Sequence, residues 1–306
     1  MWLIFAFISA GLLGFYDVFK KQSLRNNAVL PVLLINTLLC SIIFIPFIFL
    51  SATGTISDSH DFYIPNGDAI SHFYILIKSL IVLSSWVCGY YAIKNLPLTI
   101  VGPINATRPV LTLIGALLIF GERLNSWQWI GVLLAIISFF LLSRNGKKEG
   151  ISFTHNRWIY LLMLAALLGA ASGLYDKHLM SPCSEGGLGL DRLFVQSWYN
   201  IYQAILMGAV ILLIWYPRRH VGDSFRWKWS IPCISIFITI ADLSYFYALS
   251  QPGAMIAVVS MIRRSSVLVS FIVGGIMFKE QHLGSKAIDL LLVFLSMVFL
   301  YIGTAT

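Results

Sequence analysis

The sequence predicts an all-α integral membrane protein: ten transmembrane helices arranged as two inverted five-helix repeats. Three observations predict it. Of 306 residues, 58% are hydrophobic and 11% charged, where a soluble domain carries about 25% charged residues; mean hydropathy is +0.83. The apolar residues gather in runs of about 20, the length that crosses a bilayer core. Short patterns of the first half recur in the second, beyond a polar, basic linker at 143–157.

The runs fall at 2–22, 28–50, 70–92, 98–120, 126–143, 157–179, 193–215, 230–250, 254–277 and 286–304. The first begins at Trp2-Leu3-Ile4-Phe5 with no basic stretch or small-residue cleavage site, so it is expected to be retained as a helix. Between the second and third lies the longest loop, Ser51 to Ala69, polar and acidic. Pro97 starts the fourth run, and Gly121-Glu122-Arg123 separates it from the fifth. Arg144-Asn145-Gly146 closes the first half. Pro217, Pro252-Gly253 and Lys279-Glu280-Gln281 punctuate the second half with turn chemistry. Trp2, Trp127, Trp129, Trp158, Trp215, Trp227 and Trp229 stand near run ends, where tryptophan anchors at the interface.

The halves, 1–146 and 157–306, repeat one another. Gly14-Phe15-Tyr16-Asp17 matches Gly173-Leu174-Tyr175-Asp176. Tyr90 to Pro97 echoes Phe246 to Gly253. The following runs carry Ala-Thr-Arg-Pro-Val (106–110) and Ile-Arg-Arg-Ser-Ser-Val (262–267), and close on Ile119 to Leu124 and Met277 to Leu283. Five spans per copy is odd, so the second copy inserts upside down, which places a substrate site near the midplane between repeats.

These features resemble the EamA-type ten-helix carriers of the drug/metabolite transporter superfamily. The resemblance rests on the glycine-rich end of run one before Lys20 and Lys21, the Tyr-Ala entry to run four, Pro103 and Pro109 within it, and the Gly-Glu-Arg-Leu and Lys-Glu closures. The usual Trp-Gly of run one is Leu13-Gly14 here. The resemblance implies a secondary transporter in a bacterial inner membrane, with both termini in the cytoplasm. Counting basic residues gives the opposite: 3 on the terminal side against 14 on the other, which places the termini outside.

A charge at a helix centre costs about 2.5–3.5 kcal/mol on insertion scales. Asp17, Lys78, Arg108, Asp176, Asp242, Arg263 and Arg264 all fall within runs, so they must face the interior, pair, or line water. Helical spacing puts Asn105, Arg108 and Thr112 on one stripe, and Ser260, Arg263 and Ser266 on another. Two arginine stripes on corresponding helices suggest a cationic pocket for a carboxylate or phosphate, since guanidinium binds both bidentately. The serine stripe favours Arg263 as the inward residue; aligning the repeats favours Arg264. Lys78, Trp86 and Tyr245 are further candidate lining residues. Asp17, Asp176 and Asp242 are candidates for proton coupling or ion pairing, Asp17 with Lys20 or Lys21 and Asp176 with Lys177. The alternative reading makes the arginines structural partners of these aspartates.

The expected function is transport of a small organic metabolite bearing an anionic group, by alternating access. A lipid-linked phosphate flippase is the alternative, and a multidrug exporter a lesser one. No enzyme, cofactor or metal site is expected: the histidines lack ligand spacing and no nucleophile–base pattern appears. Cys40, Cys88, Cys183 and Cys233 form no C-x-x-C pair and read as small core residues. The net charge of +8 sits in short loops, which fits anionic lipid headgroups rather than nucleic acid. The chain is expected to be a monomer or homodimer.

Overall fold

In a computed structural model, the described residues are 2–57, 60, 62–108, 110–111, 114, 125–148, 153, 155–180, 183, 186–219, 223–250, 262–280 and 283–305. They form helices α1 (Trp2–Leu24), α2 (Val29–Ala52), α3 (Ala69–Asn95), α4 (Leu98–Ala106), α5 (Ser126–Lys148), α6 (Arg157–Met180), α7 (Arg192–Val210), α8 (Ser230–Ser250), α9 (Ser266–Met277) and α10 (Leu283–Ala305). A π-helical turn (Ile211–Trp215) and a 3-10 turn (Tyr216–Arg218) extend α7. Among the described residues, six stretches are long and apolar enough to cross a membrane: α1, α2, α3, α6, α7 with its extension, and Lys286–Gly303 of α10. Ser126–Leu142 and Ser230–Tyr245 are shorter apolar helices.

Polarity runs opposite to that of a soluble protein. Large apolar side chains face outward, among them Phe49, Phe140, Leu213 and Ile276, while Ser9, Asn36, Ser79, Gln196, Gln203 and Ser235 are buried. Such an outer surface is stable against lipid tails and not against water. Trp127, Trp129, Trp227 and Trp229 are exposed at helix ends, as interfacial anchors should be.

The principal helix contacts cross between the two halves: α1 on α8, α3 on α6, α2 on α7, α4 on α9 and α5 on α10. Between lipid-immersed helices there is no hydrophobic driving force, so close packing and polar contacts hold them. Serines supply several. Ser9 Oγ donates to the Ala241 carbonyl (2.6 Å), Ser85 Oγ to Ala165 (2.8 Å), and Ser41 Oγ to Asn200 (2.8 Å). Ser138 Oγ donates to Asp289 O and Ser296 Oγ to Gly131 O, each at 2.7 Å.

Gly14 lets α1 lie directly on α9: a Cβ there would stand 2.7 Å from the Ser266 carbonyl oxygen and 2.5 Å from Val269 Cβ. Its repeat counterpart Gly173 has open space around it, so the shared glycine serves close packing in one copy only.

The run at 98–120 was expected to be one helix. Instead α4 is capped at Thr107, whose N–H and hydroxyl both return to the Ile104 carbonyl (3.2 and 2.7 Å). Pro109, two residues further on, has no N–H with which to continue the i→i−4 ladder of the helix. The second half repeats the break. Residues 262–264 are helical, Ser265 interrupts, and its N–H and hydroxyl return to the Ile262 carbonyl (3.0 and 2.6 Å) before α9 begins. Arg108 follows one break and Arg263-Arg264 precede the other.

Charged side chains close several helix ends. Lys21 was a candidate partner for Asp17. Its Nζ instead donates to the carbonyls of Ile93 (2.6 Å), Lys94 (3.2 Å) and Leu96 (2.6 Å), where α3 leaves unpaired acceptors. Glu280 receives the N–H groups of Leu98 (2.6 Å) and Thr99 (2.9 Å) at the start of α4. Lys286 Nζ, fully buried, donates to Thr99 Oγ1 at 2.8 Å. Lys20 and Lys286 are therefore interior residues rather than loop charges, and the remaining loop cations keep the same bias.

Candidate functional site

The intramembrane charges meet in a few close groupings. At the centre, Arg108 lies across α6, where a Cβ on Gly169 would stand 2.9 Å from its Cζ, and its Nη2 donates to Asn105 Oδ1 at 3.1 Å. Arg264 is an electrostatic neighbour of both Arg108 and Arg263. Arg263 is tied down: its guanidinium pairs with Asp242 and lies 4.3 Å from the ring centroid of Tyr245. Arg264 forms no ion pair among the described residues. Neighbouring positive charges of this kind repel strongly where water is scarce.

Two lysine–aspartate pairs flank the centre. Lys20 Nζ binds Asp17 at 2.7 Å and sits 4.1 Å over the Tyr16 ring and 5.3 Å over that of Tyr90. Lys78 of α3 pairs with Asp176 of α6 and lies 4.9 Å over the Tyr199 ring. Asp17 thus keeps the local partner its spacing suggested, while Asp176 takes a lysine from another helix. Lys78, read from sequence as a lining residue, is engaged with that carboxylate.

Beside Asp242, Trp86, Gln196, Tyr199, Asn200 and Thr239 line a tight crevice between α2, α3, α7 and α8, too narrow to hold a water molecule. Trp86, a candidate lining residue, stands in the wall of this crevice. Tyr245 reaches the site through Arg263. Thr112 and Ser260, named with the stripes, lie outside the described residues, as does Glu122.

The polar face of α7 was missed in the sequence. Gln196, Asn200 and Gln203 fall at i, i+4 and i+7, the spacing of one helical face, and all three are buried. An amide stripe in an apolar run is a signal readable in the sequence, weaker than the charges because a neutral amide costs less to bury. The cysteines are all free thiols, with Cys40 buried and Cys183 exposed. Among the described residues, no group of three His, Cys, Asp or Glu side chains could hold a metal.

The exposed apolar exterior, the buried polar interior and the helices interrupted around arginines define an integral membrane protein with a polar centre. Residues 1–144 match the model of the EamA-like transporter family, bearing out the resemblance drawn from the sequence. No curated protein matches the chain. One solved crystal structure aligns with 97% of this chain and 98% of its own, with a TM-score of 0.56 and 14% identity, a likeness of fold alone.

Proposed function

We propose that the protein is a secondary transporter for a small organic anion, working by alternating access, with Arg108 and Arg264 as the anion-binding pair. The observation that carries this reading is the juxtaposition of the two guanidiniums at the interrupted helices, with Arg263 already neutralised by Asp242. A carboxylate or phosphate between them would relieve their repulsion and use their donors bidentately. Discontinuous helices at the midplane are a recurrent way to build such sites.

Inverted repeats are part of the proposal. One shift along the chain carries Ile104 to Ile262 and Thr107 to Ser265, preserving the helix break. The same shift carries Ser138 to Ser296 and Gly131 to Asp289, preserving a reciprocal pair of hydrogen bonds. Exchanging the halves also turns the α1–α8 contact into α6–α3. That shift sets Asn105 against Arg263 and Ser266 against Arg108, so the arginines meet around the pseudo-axis without occupying equivalent positions. The charge of the basic loop face, with Lys94, Arg157 and Arg218, favours its lying in the cytoplasm; impermeant labelling of a cysteine at Thr306 in intact cells should then succeed.

The test is thermal stabilisation of purified protein by a panel of metabolite anions, followed by uptake into proteoliposomes. A ligand of the folded state raises apparent stability by mass action. Arg108→Gln and Arg264→Gln should weaken the best anion at least about tenfold, or 1.4 kcal/mol. Arg263→Gln should chiefly destabilise the protein by exposing Asp242. Undiminished anion binding by Arg264→Gln would overturn the assignment.

A further inference from the structure

On the basic face, cations outnumber carboxylates around the entry to α8. Residues 216–229 carry Arg218, Arg219, Arg226 and Lys228 against one carboxylate, Asp223, and Lys94 takes that carboxylate. Arg25, just past the end of α1, meets the same segment: Lys228 Nζ donates to the carbonyls of Gln22 (3.2 Å) and Arg25. Arg25 and Arg226 are both electrostatic neighbours of Lys228, and partial burial, then those two charges, hold its ammonium below the ordinary lysine pKa. Both arginines are exposed, and none of the three cations forms an ion pair among the described residues. Like charges gathered without a counter-ion repel one another until an anion joins them.

The backbone beneath this cluster is fixed. Asn27, fully buried, donates from Nδ2 to the Arg226 carbonyl (2.7 Å) and accepts the Arg226 N–H at Oδ1 (2.8 Å). Ser23 Oγ donates to Ser230 Oγ at 2.6 Å. These bonds fasten the α1–α2 turn of the first half to the segment entering α8 in the second. The aromatic surroundings set the depth. Trp227 and Trp229 stand on either side of Lys228 in the chain, 52% and 81% exposed, and tryptophans so placed mark the headgroup level. One turn below Ser23, Phe19 stacks on Phe237 of α8 with ring centroids 5.1 Å apart. One turn deeper, Phe15 lies 5.9 Å from the same ring and is 40% exposed on the outer surface. The seam between α1 and α8 thus leads from the cations down to lipid-facing aromatic rings.

We infer that Arg25, Arg226 and Lys228 form a binding site for the phosphodiester headgroup of an anionic phospholipid, whose acyl chain runs down the Phe15–Phe19–Phe237 seam. Guanidinium and ammonium donors suit phosphate oxygens, and basic pockets between helix ends are where anionic headgroups settle. The occupant is a lipid rather than a soluble anion because the cations sit at headgroup depth above an apolar seam, and a soluble anion uses only the upper part. Its headgroup carries net negative charge because a zwitterionic one would bring a further cation beside three that are already crowded. The bound lipid spans the α1–α8 contact between the halves, so it braces that interface from outside and is separate from the arginine site in the interior.

Purified protein in a non-ionic detergent is titrated with phosphatidylglycerol, with phosphatidylcholine of the same acyl chains, and with sodium phosphate, reading the melting temperature. Phosphatidylglycerol should raise the melting temperature of wild type by at least about 2 °C more than either of the others. In the double variant Arg25→Gln/Arg226→Gln that difference should disappear. Arg157→Gln, which removes an exposed cation from the same face at the start of α6, should keep it. Native mass spectrometry of wild type gives a second reading that needs no variant to fold: phosphatidylglycerol should stay bound at activation energies that strip phosphatidylcholine. Equal effects of the two lipids in both measurements overturn the inference. So does a phosphatidylglycerol response retained in the double variant, or one lost equally in Arg157→Gln, which would make it a property of the whole face. Sodium phosphate that stabilises wild type as strongly as phosphatidylglycerol, and fails on the double variant, would give the cluster to a free phosphate and overturn the lipid.

Discussion

Replacing Gly14 and Gly173 by alanine, one at a time, separates two positions that the repeated Gly-x-Tyr-Asp motif makes look identical. Both lie within helices, α1 and α6, and in each the added methyl contributes about 0.8–1 kcal/mol of helix propensity. The surroundings differ. At Gly173 nothing lies within 4 Å of the new Cβ, so the gain should stand. At Gly14 the Cβ would meet Val269 Cβ at 2.5 Å, the Ser266 carbonyl oxygen at 2.7 Å and Val269 Cγ1 at 2.8 Å. Two of those atoms cannot rotate away: one is backbone and one is the stem of a β-branched side chain. Helix α1 must move off α9, an overpacking cost of about 1–3 kcal/mol. Gly173→Ala should therefore be the more stable variant by about 1–3 kcal/mol, with Gly14→Ala falling below wild type when the cost exceeds the propensity gain. Reversible unfolding in mixed detergent micelles measures the difference. Equal stabilities for the two variants would refute the close-packing argument.

Breaking the Lys78–Asp176 pair by Lys78→Met alone should cost about 3–5 kcal/mol, because it strands a partly buried carboxylate; adding Asp176→Leu should recover most of it, as a double-mutant cycle would reveal. Glu280→Ala removes the acceptor for the first N–H groups of α4 and should cost about 1–2 kcal/mol, read from the unfolding midpoint. Outside the membrane, the Asp68 carboxylate is held below its ordinary value chiefly by its hydrogen bonds to Ser71. A depressed carboxylate stabilises the fold above its unfolded pKa and loses that contribution as pH falls through the folded value. Protection of the Ser71 amide in hydrogen exchange should therefore decline on acidification in wild type and not in Asp68→Asn.

Much of the architecture was legible because membrane physics leaves few options. Runs of about 20 apolar residues must satisfy their own backbone bonds, and helices do so. Charges within those runs must turn inward, so Asp17, Lys78, Asp176, Arg108 and the Arg263-Arg264 pair could be named before any fold was known. Aspartate partners were only half legible. Asp17 finds Lys20 one turn away, a contact that helical spacing dictates, whereas Asp176 finds Lys78 across an interface between halves. The break at Thr107 was hinted at by Pro109; its counterpart at Ser265 has no adjacent proline in the sequence.

By itself, then, the sequence determined the solvent of each surface, the helical class and the list of residues too costly to leave in lipid, because these follow from local composition and spacing. Only the tertiary structure decided how those residues are shared out. It gave Arg263 to Asp242, left Arg264 beside Arg108, and buried the amide stripe of α7 in the interior. Pairing depends on which helix faces meet across the two halves, and no spacing within a single helix carries that information.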